Sequence, residues 1–426
     1  MFRAFRSRNY RLFFGGQSIS LVGTWMQNVA MQLLVYRLTH STALLGIISL
    51  VSQLPAFLVS PFAGVWLDEW DRRKVIVATQ TLSGLQAGVL AILVFGGWVQ
   101  VWHLVALSVV LGMIGAFDMP GRQAFLIEMV HDREDLQNAI ALNSSQFNIA
   151  RLIGPALAGF VITVMGEKVC FAANAVSYIA VVWALLAMRV PRHTKKIREQ
   201  TVLQQLADGW HYTRKFTSIS SLLILLAAVS FSSGMFSVLL PALAVDYFKG
   251  NSAATLSYLY VATAIGALAG AMWLAARKTI IGLGTVAMVA ALVYGLGTIA
   301  FGVAPTLWSG LVILLFAGYG GMVNMAATNT LLQTLVDERM RGRVMSFYTM
   351  SFIGTMPVGA FLGGFLAGGI GLMPTCFVAG SATIIAAAWF YWRLPLVKAH
   401  ARPVLQERGI LPIVEPDLAE PEEVPS

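Results

Sequence analysis

The chain has 426 residues, of which 57% are hydrophobic and 12% charged, with a net charge of +9. An ordinary globular domain carries about 25% charged residues, so this composition excludes a water-soluble enzyme that must cover its surface with polar groups and points to lipid as the solvent. The basic excess sits in short clusters between apolar runs, a membrane-topology pattern rather than a phosphate-binding face, which argues against a nucleic-acid partner.

Apolar stretches of about 20 residues suffice to span a bilayer as helices. They are predicted at 11–36, 43–67, 75–97, 101–126, 138–165, 169–188, 219–247, 253–276, 283–304, 307–332, 344–369 and 372–393, an all-α membrane protein with twelve transmembrane helices. The first follows Arg3, Arg6, Arg8 and Arg11 as a signal peptide would, but its apolar run is too long for one and no small-residue cleavage site ends it. It carries a polar stripe of Gln17, Ser20, Thr24, Gln27 and Asn28, able either to line a water-filled path or to bond between packed helices.

The loop after span 2 holds Gly64, Asp68, Arg72, Arg73 and Lys74, and span 4 ends with Asp118 and Arg122 one turn apart. These charges could latch the ends of neighbouring helices together or only fix topology. In span 5, Arg151 lies about 18 Å from the membrane edge, near the midplane. A cation there costs at least about 2.5 kcal/mol in lipid, so it must meet a cavity or a partner. Ser144 and Asn148 share its face, and Pro155 follows one turn on. Arg151 therefore binds an acceptor-rich substrate, pairs structurally with Asp118, or alternates between them. Span 10 offers Asn324 with Thr328 and Asn329 with Gln333 at one-turn spacing.

Between spans 6 and 7, the linker 189–218 places Val202, Leu203, Leu206 and Trp210 on one helical face, the pattern of an interfacial helix. Beyond Leu394 the chain turns Pro-rich and acidic (Glu415, Asp417, Glu420, Glu422, Glu423), so 394–426 reads as a disordered cytoplasmic tail. Basic residues concentrate in alternate loops, while the opposite set holds little beyond Arg37, Lys168 and Lys249. Positive loops stay in the cytoplasm, which puts both termini there. Cys170 and Cys376 lie inside apolar runs and read as packed thiols.

The two halves, 1–188 and 219–393, repeat at an offset of about 205 positions. Asp132 meets Asp337; Gly154, Gly159 and Gly166 meet Gly359, Gly364 and Gly371; Arg72 and Arg73 meet Arg277 and Lys278. Parallel six-span halves place a substrate path at their interface. No phosphate-binding loop, metal-ligand cluster or nucleophile motif is legible, so neither ATP, a cofactor nor a metal is expected.

Gly64-x-x-x-Asp68-x-x-x-Arg72-Arg73-Lys74 resembles the signature loop of the major facilitator superfamily, and Gly154-Pro155-x-x-x-Gly159 resembles the antiporter motif of its drug exporters. Asp118-Met-Pro-Gly-Arg122 is similar to the branch of enterobactin-type siderophore exporters and macrolide efflux proteins. The resemblance covers about residues 5–393. It implies a proton-coupled exporter of a small organic molecule in a bacterial inner membrane, with Gly64, Asp68, Arg72 and Asp118 as the latch of the outward-facing state. Glu69 and Asp71 stand where the family has a basic residue and a glycine, and the second half lacks the aspartate, so a one-sided latch is expected. Movement of a lysophospholipid is the rival within transport, and a non-transporting receptor or scaffold the rival outside it. Arg151, Asn148, Asp118, Gln27, Asn28 and Asn324 are the candidate substrate or coupling residues.

Overall fold

The computed structural model describes residues 3–130, 133–189, 202–248, 250–277 and 279–407. Local capping sets where the long helices begin. Ser7 accepts from the Tyr10 amide to open α1 (Arg8–Thr39), and Ser41 accepts from the Leu44 amide to open α2 (Thr42–Glu69). The first bundle continues with α3 (Arg72–Phe95), α4 (Val101–Met129), α5 (Arg133–Met165) and α6 (Glu167–Ala187). The linker contributes α7 (Val202–Lys215).

The second bundle opens with α8 (Thr217–Ser237), a short turn α9 (Leu240–Ala242) and a π turn at Leu243–Tyr247. It continues with α10 (Ser252–Ala276), α11 (Leu283–Phe301) and α12 (Leu307–Leu335). A span built of α13 (Glu338–Thr349), a π turn at Met350–Gly354 and α14 (Thr355–Ile370) precedes α15 (Leu372–Glu407).

Among the described residues, eleven of these stretches are long and apolar enough to cross a membrane. The twelfth expected span, α1, has the length but not the apolarity. Its polar stripe includes Gln17, Ser20 and Gln27, all buried inside the first bundle where lipid does not reach them.

Within the first bundle α1 packs on α5 and α6, α2 on α4, and α3 on α4 and α6. In the second, α8 packs on α14 and α15, and α12 on α10 and α11. The bundles meet mainly through α2 against α14 and α5 against α10. The repeat has a backbone counterpart: Gly166 and Gly371, 205 positions apart, both take positive φ (87° and 96°) at the turns into α6 and α15. Only glycine adopts that conformation without strain.

The linker helix lies along α13. Arg343 donates to Asp208 at 2.9 Å, Tyr212 donates to Asp337 at 2.9 Å, and Trp210 meets the Phe347 ring. The expected tail begins inside a helix. α15 runs on through Pro395 and Pro403 to Glu407, because Leu394, Val397, Ala401 and Leu405 form a buried stripe against the base of the second bundle. Periodicity ended at Leu394 by hydropathy alone hides this stripe. Residues 408–426 lie outside the described residues.

Candidate functional site

The bundles are closed at one end. Call the end that carries Arg8, α7 and Glu407 the near end, and the opposite one the far end. Hydrogen bonds between the bundles among the described residues lie towards the far end. Tyr36 donates to Asp246, Arg37 donates to Ser252 at 2.9 Å and to Glu167 of its own bundle at 2.7 Å. Thr42 donates to the Gly364 carbonyl at 2.8 Å, and Thr163 to Asn251 at 3.3 Å. Tyr260 donates to Gln32 at 2.7 Å, one layer deeper. Small residues allow the approach: a Cβ at Gly159 would overlap Ser257 of α10, and one at Gly364 would overlap the Thr42 carbonyl of α2. These contacts draw the two bundles together towards the far end.

Arg151 lies on α5, the helix that packs against α10 where the bundles meet. It is half-buried, and the phenols of Tyr260 (α10) and Tyr294 (α11) stand close enough to act on its charge. Among the described residues it makes no ion pair and no hydrogen bond. The expected structural pair with Asp118 is not formed. Asp118 is buried between α3 and α4, where it accepts from Thr79 at 2.8 Å and Gln80 at 2.7 Å and pairs with Arg122 at 2.6 Å. Arg122 lies one turn along the same helix, so the nearer cation wins.

The other sequence candidates divide. Asn28 is exposed on α1 and faces away from its bundle's core, whereas Gln27 is buried. Gln27 accepts from Asn174 at 2.8 Å and donates to Gln86, tying α1 to α6 and α3 rather than lining a path. Asn324 is likewise fully buried and donates to the Ala287 carbonyl at 2.9 Å, so it holds α12 to α11. The exposed polar pair of α12 is Asn329 and Gln333, 2.6 Å apart. Asn148 shares the Arg151 face but spends its amide on the Ser144 carbonyl, 2.8 Å away. Sequence inspection missed Gln32, Tyr260 and Tyr294: an isolated tyrosine or glutamine in an apolar helix carries no spacing signal.

At the near end, Gly64 and Asp68 fall in α2, with their side-chain positions outside the described residues. Arg72 is buried and donates to Glu128 of α4 at 2.9 Å; it does not contact Asp118, the other latch residue on that helix. Asp118 is ten positions earlier on α4, about 15 Å along the axis, out of reach of a residue at the helix start. Arg73 donates to the Leu185 and Leu186 carbonyls at 2.8 Å each, answering the free acceptors at the end of α6. Asp71, which replaces a glycine of the family pattern, caps α3 by accepting from the Lys74 amide at 3.2 Å. In α5, a Cβ at Gly154 would overlap Trp25 of α1, and Pro155 is buried beside it.

A family model described as transmembrane secretion effector, of the major facilitator transporters, matches residues 1–419. The chain belongs to that family. It is a secondary transporter and not an enzyme. The staphyloferrin A transporter of Staphylococcus aureus is 25% identical over 390 residues, covering 90% of this chain and 95% of the relative. The enterobactin exporter EntS of Citrobacter koseri is 24% identical over 386 residues, covering 88% of each.

Solved structures share the fold. A POT family transporter in complex with 5-aminolevulinic acid superposes with a TM-score of 0.73 at 13% identity, covering 92% of this chain and 97% of that one. A bacterial homologue of the iron transporter ferroportin gives 0.67 at 18% identity, with 90% and 98% covered. This family member is thus a multi-pass membrane protein with an arginine at the bundle interface that, among the described residues, has no carboxylate partner.

Proposed function

We propose that the chain exports a small organic molecule with an anionic or acceptor-rich group, of the siderophore or amphipathic-drug class, by alternating access. The observation that carries this reading is Arg151. A guanidinium in the middle of a bundle interface, with no carboxylate beside it among the described residues, is costly unless something supplies acceptors. A substrate lying between the bundles would supply them. The relatives named for staphyloferrin A and enterobactin support the substrate class.

The basic loops support an orientation with the near end, and with it both termini, in the cytoplasm of a bacterial cell and the chain in the inner membrane. On that orientation the far-end contacts close the outer side, and the substrate would load from the cytoplasm. Inward movement of protons would drive export, with Asp118 as the buried acid on the first bundle. Purified protein reconstituted in vesicles tests this. Flux of staphyloferrin A or enterobactin that rises with an opposing proton gradient and falls at least tenfold in Arg151→Gln is expected. Flux that ignores both would leave a carrier of another substrate or a passive membrane protein.

A further inference from the structure

Three residues of α1, Asn28, Gln32 and Tyr36, are spaced by four and so stand above one another on one helix face. That face meets the second bundle in successive layers. Asn28 is exposed. Gln32 is half-buried and accepts from the Tyr260 hydroxyl at 2.7 Å. Tyr36 is 4% exposed and donates to Asp246, which the π turn at Leu243–Tyr247 carries. The next residue, Arg37, reaches Ser252 at the start of α10. The stripe therefore runs towards the far end, and the Tyr260 hydroxyl, bonded to Gln32, is near enough to Arg151 to act on its charge.

We infer that Gln32 and Tyr260 form the inner layer of the far-side gate, and that Tyr260 reports occupancy at Arg151 to that gate. A phenol has one O–H to donate. It cannot serve both Gln32 and an acceptor lying against Arg151. An occupant that takes the proton leaves the Gln32 oxygen without its donor and removes the inner layer, while Tyr36 and Asp246 still hold the outer one. The reporting role rests on Arg151 meeting a substrate acceptor; the gate itself does not.

The experiment has two arms, both on full-length protein with spin labels at W98C and V303C. These sites are exposed loop positions at the far ends of the two bundles, and Cys170 and Cys376 are replaced by Ala. Without ligand, Tyr260→Phe and Gln32→Leu should each raise the far-separated population about two- to tenfold, the worth of one hydrogen bond. The double variant should go no further than either single one, because only one bond is lost. Tyr36→Phe should add to both. No shift, or a fully additive double variant, overturns the gate.

In the second arm tricarballylate, a soluble tricarboxylate, is added. The native protein should shift towards far-side separation and Tyr260→Phe should not respond further. An unresponsive native protein, or an equal response in Tyr260→Phe, overturns the reporting role. A response retained in Arg151→Gln instead defeats the Arg151 reading and leaves the ligand-free result for the gate intact.

Discussion

Gly159 and Gly364 stand 205 positions apart, and each lets its helix touch the second helix of the opposite bundle. Gly159 of α5 meets Ser257 of α10, and Gly364 of α14 meets Thr42 of α2. Five residues earlier, a second pair related by the same offset faces the other way. Gly154 seats α5 on Trp25 of α1, and Gly359 seats α14 on Phe231 of α8. Each copy of the repeat thus carries one glycine that holds its own bundle together and one that closes the far end.

The two kinds of glycine should separate in a variant series. Gly159→Leu and Gly364→Leu block an approach made between bundles, so they should shift the spin-label distances between Trp98 and Val303 positions towards far-side separation. Melting temperatures should change little. Gly154→Leu and Gly359→Leu overpack a single bundle, which typically costs about 1–3 kcal/mol, and should lower the melting temperature instead. Equal effects on both readouts would erase the distinction.

Arg151 pits stability against function. Replacing it with Gln removes a charge that no described residue answers. Thermal stability in detergent should therefore hold or rise, while transport falls. Arg151→Lys should restore only part of the transport, since an ammonium lacks the planar fork for bidentate contact. A clear loss of stability in Arg151→Gln would mean the guanidinium is part of the packing.

Asp118 and Arg151 should behave as independent sites. Asp118 spends its acceptors on Thr79, Gln80 and Arg122. Asp118→Asn should destabilise the first bundle, and the effects of Asp118→Asn and Arg151→Gln on melting should add within about 0.5 kcal/mol. A coupling well above that would restore a direct exchange between the two.

Arg72 and Glu128 should be strongly coupled. Both are mostly shielded from water, with side-chain exposures of 10% and 20%. Breaking such a pair from one side costs about 3–5 kcal/mol in fully buried cases. Arg72→Gln should accordingly melt well below the parent, and Arg72→Gln with Glu128→Gln should regain part of the loss. A double variant as unstable as the sum of the singles would place the stabilising contact elsewhere.

Topology is open to a direct check. A cysteine at Ala207, exposed on α7, should resist a membrane-impermeant thiol reagent in intact cells and react once the cells are opened. Labelling in intact cells would reverse the orientation on which export rests.

The helical membrane fold and the repeat were legible in the sequence because both are one-dimensional signals. A bilayer demands about 20 apolar residues per crossing whatever the neighbours are, and a repeat shows as a fixed offset, here seen again in the positive φ of Gly166 and Gly371. Partners did not follow. Side chains on one helix compete for acceptors supplied by several others, so Asp118 goes to Arg122 rather than Arg151, Arg72 to Glu128, and Gln27 into a bundle core while its neighbour Asn28 stays exposed. The gate residues Gln32, Tyr36, Tyr260 and Asp246 come from α1, α10 and a π turn that are distant in sequence. Their pairing exists only once two bundles are packed against each other, and that packing, not the spacing along the chain, decides which polar groups hold the fold and which stay exposed.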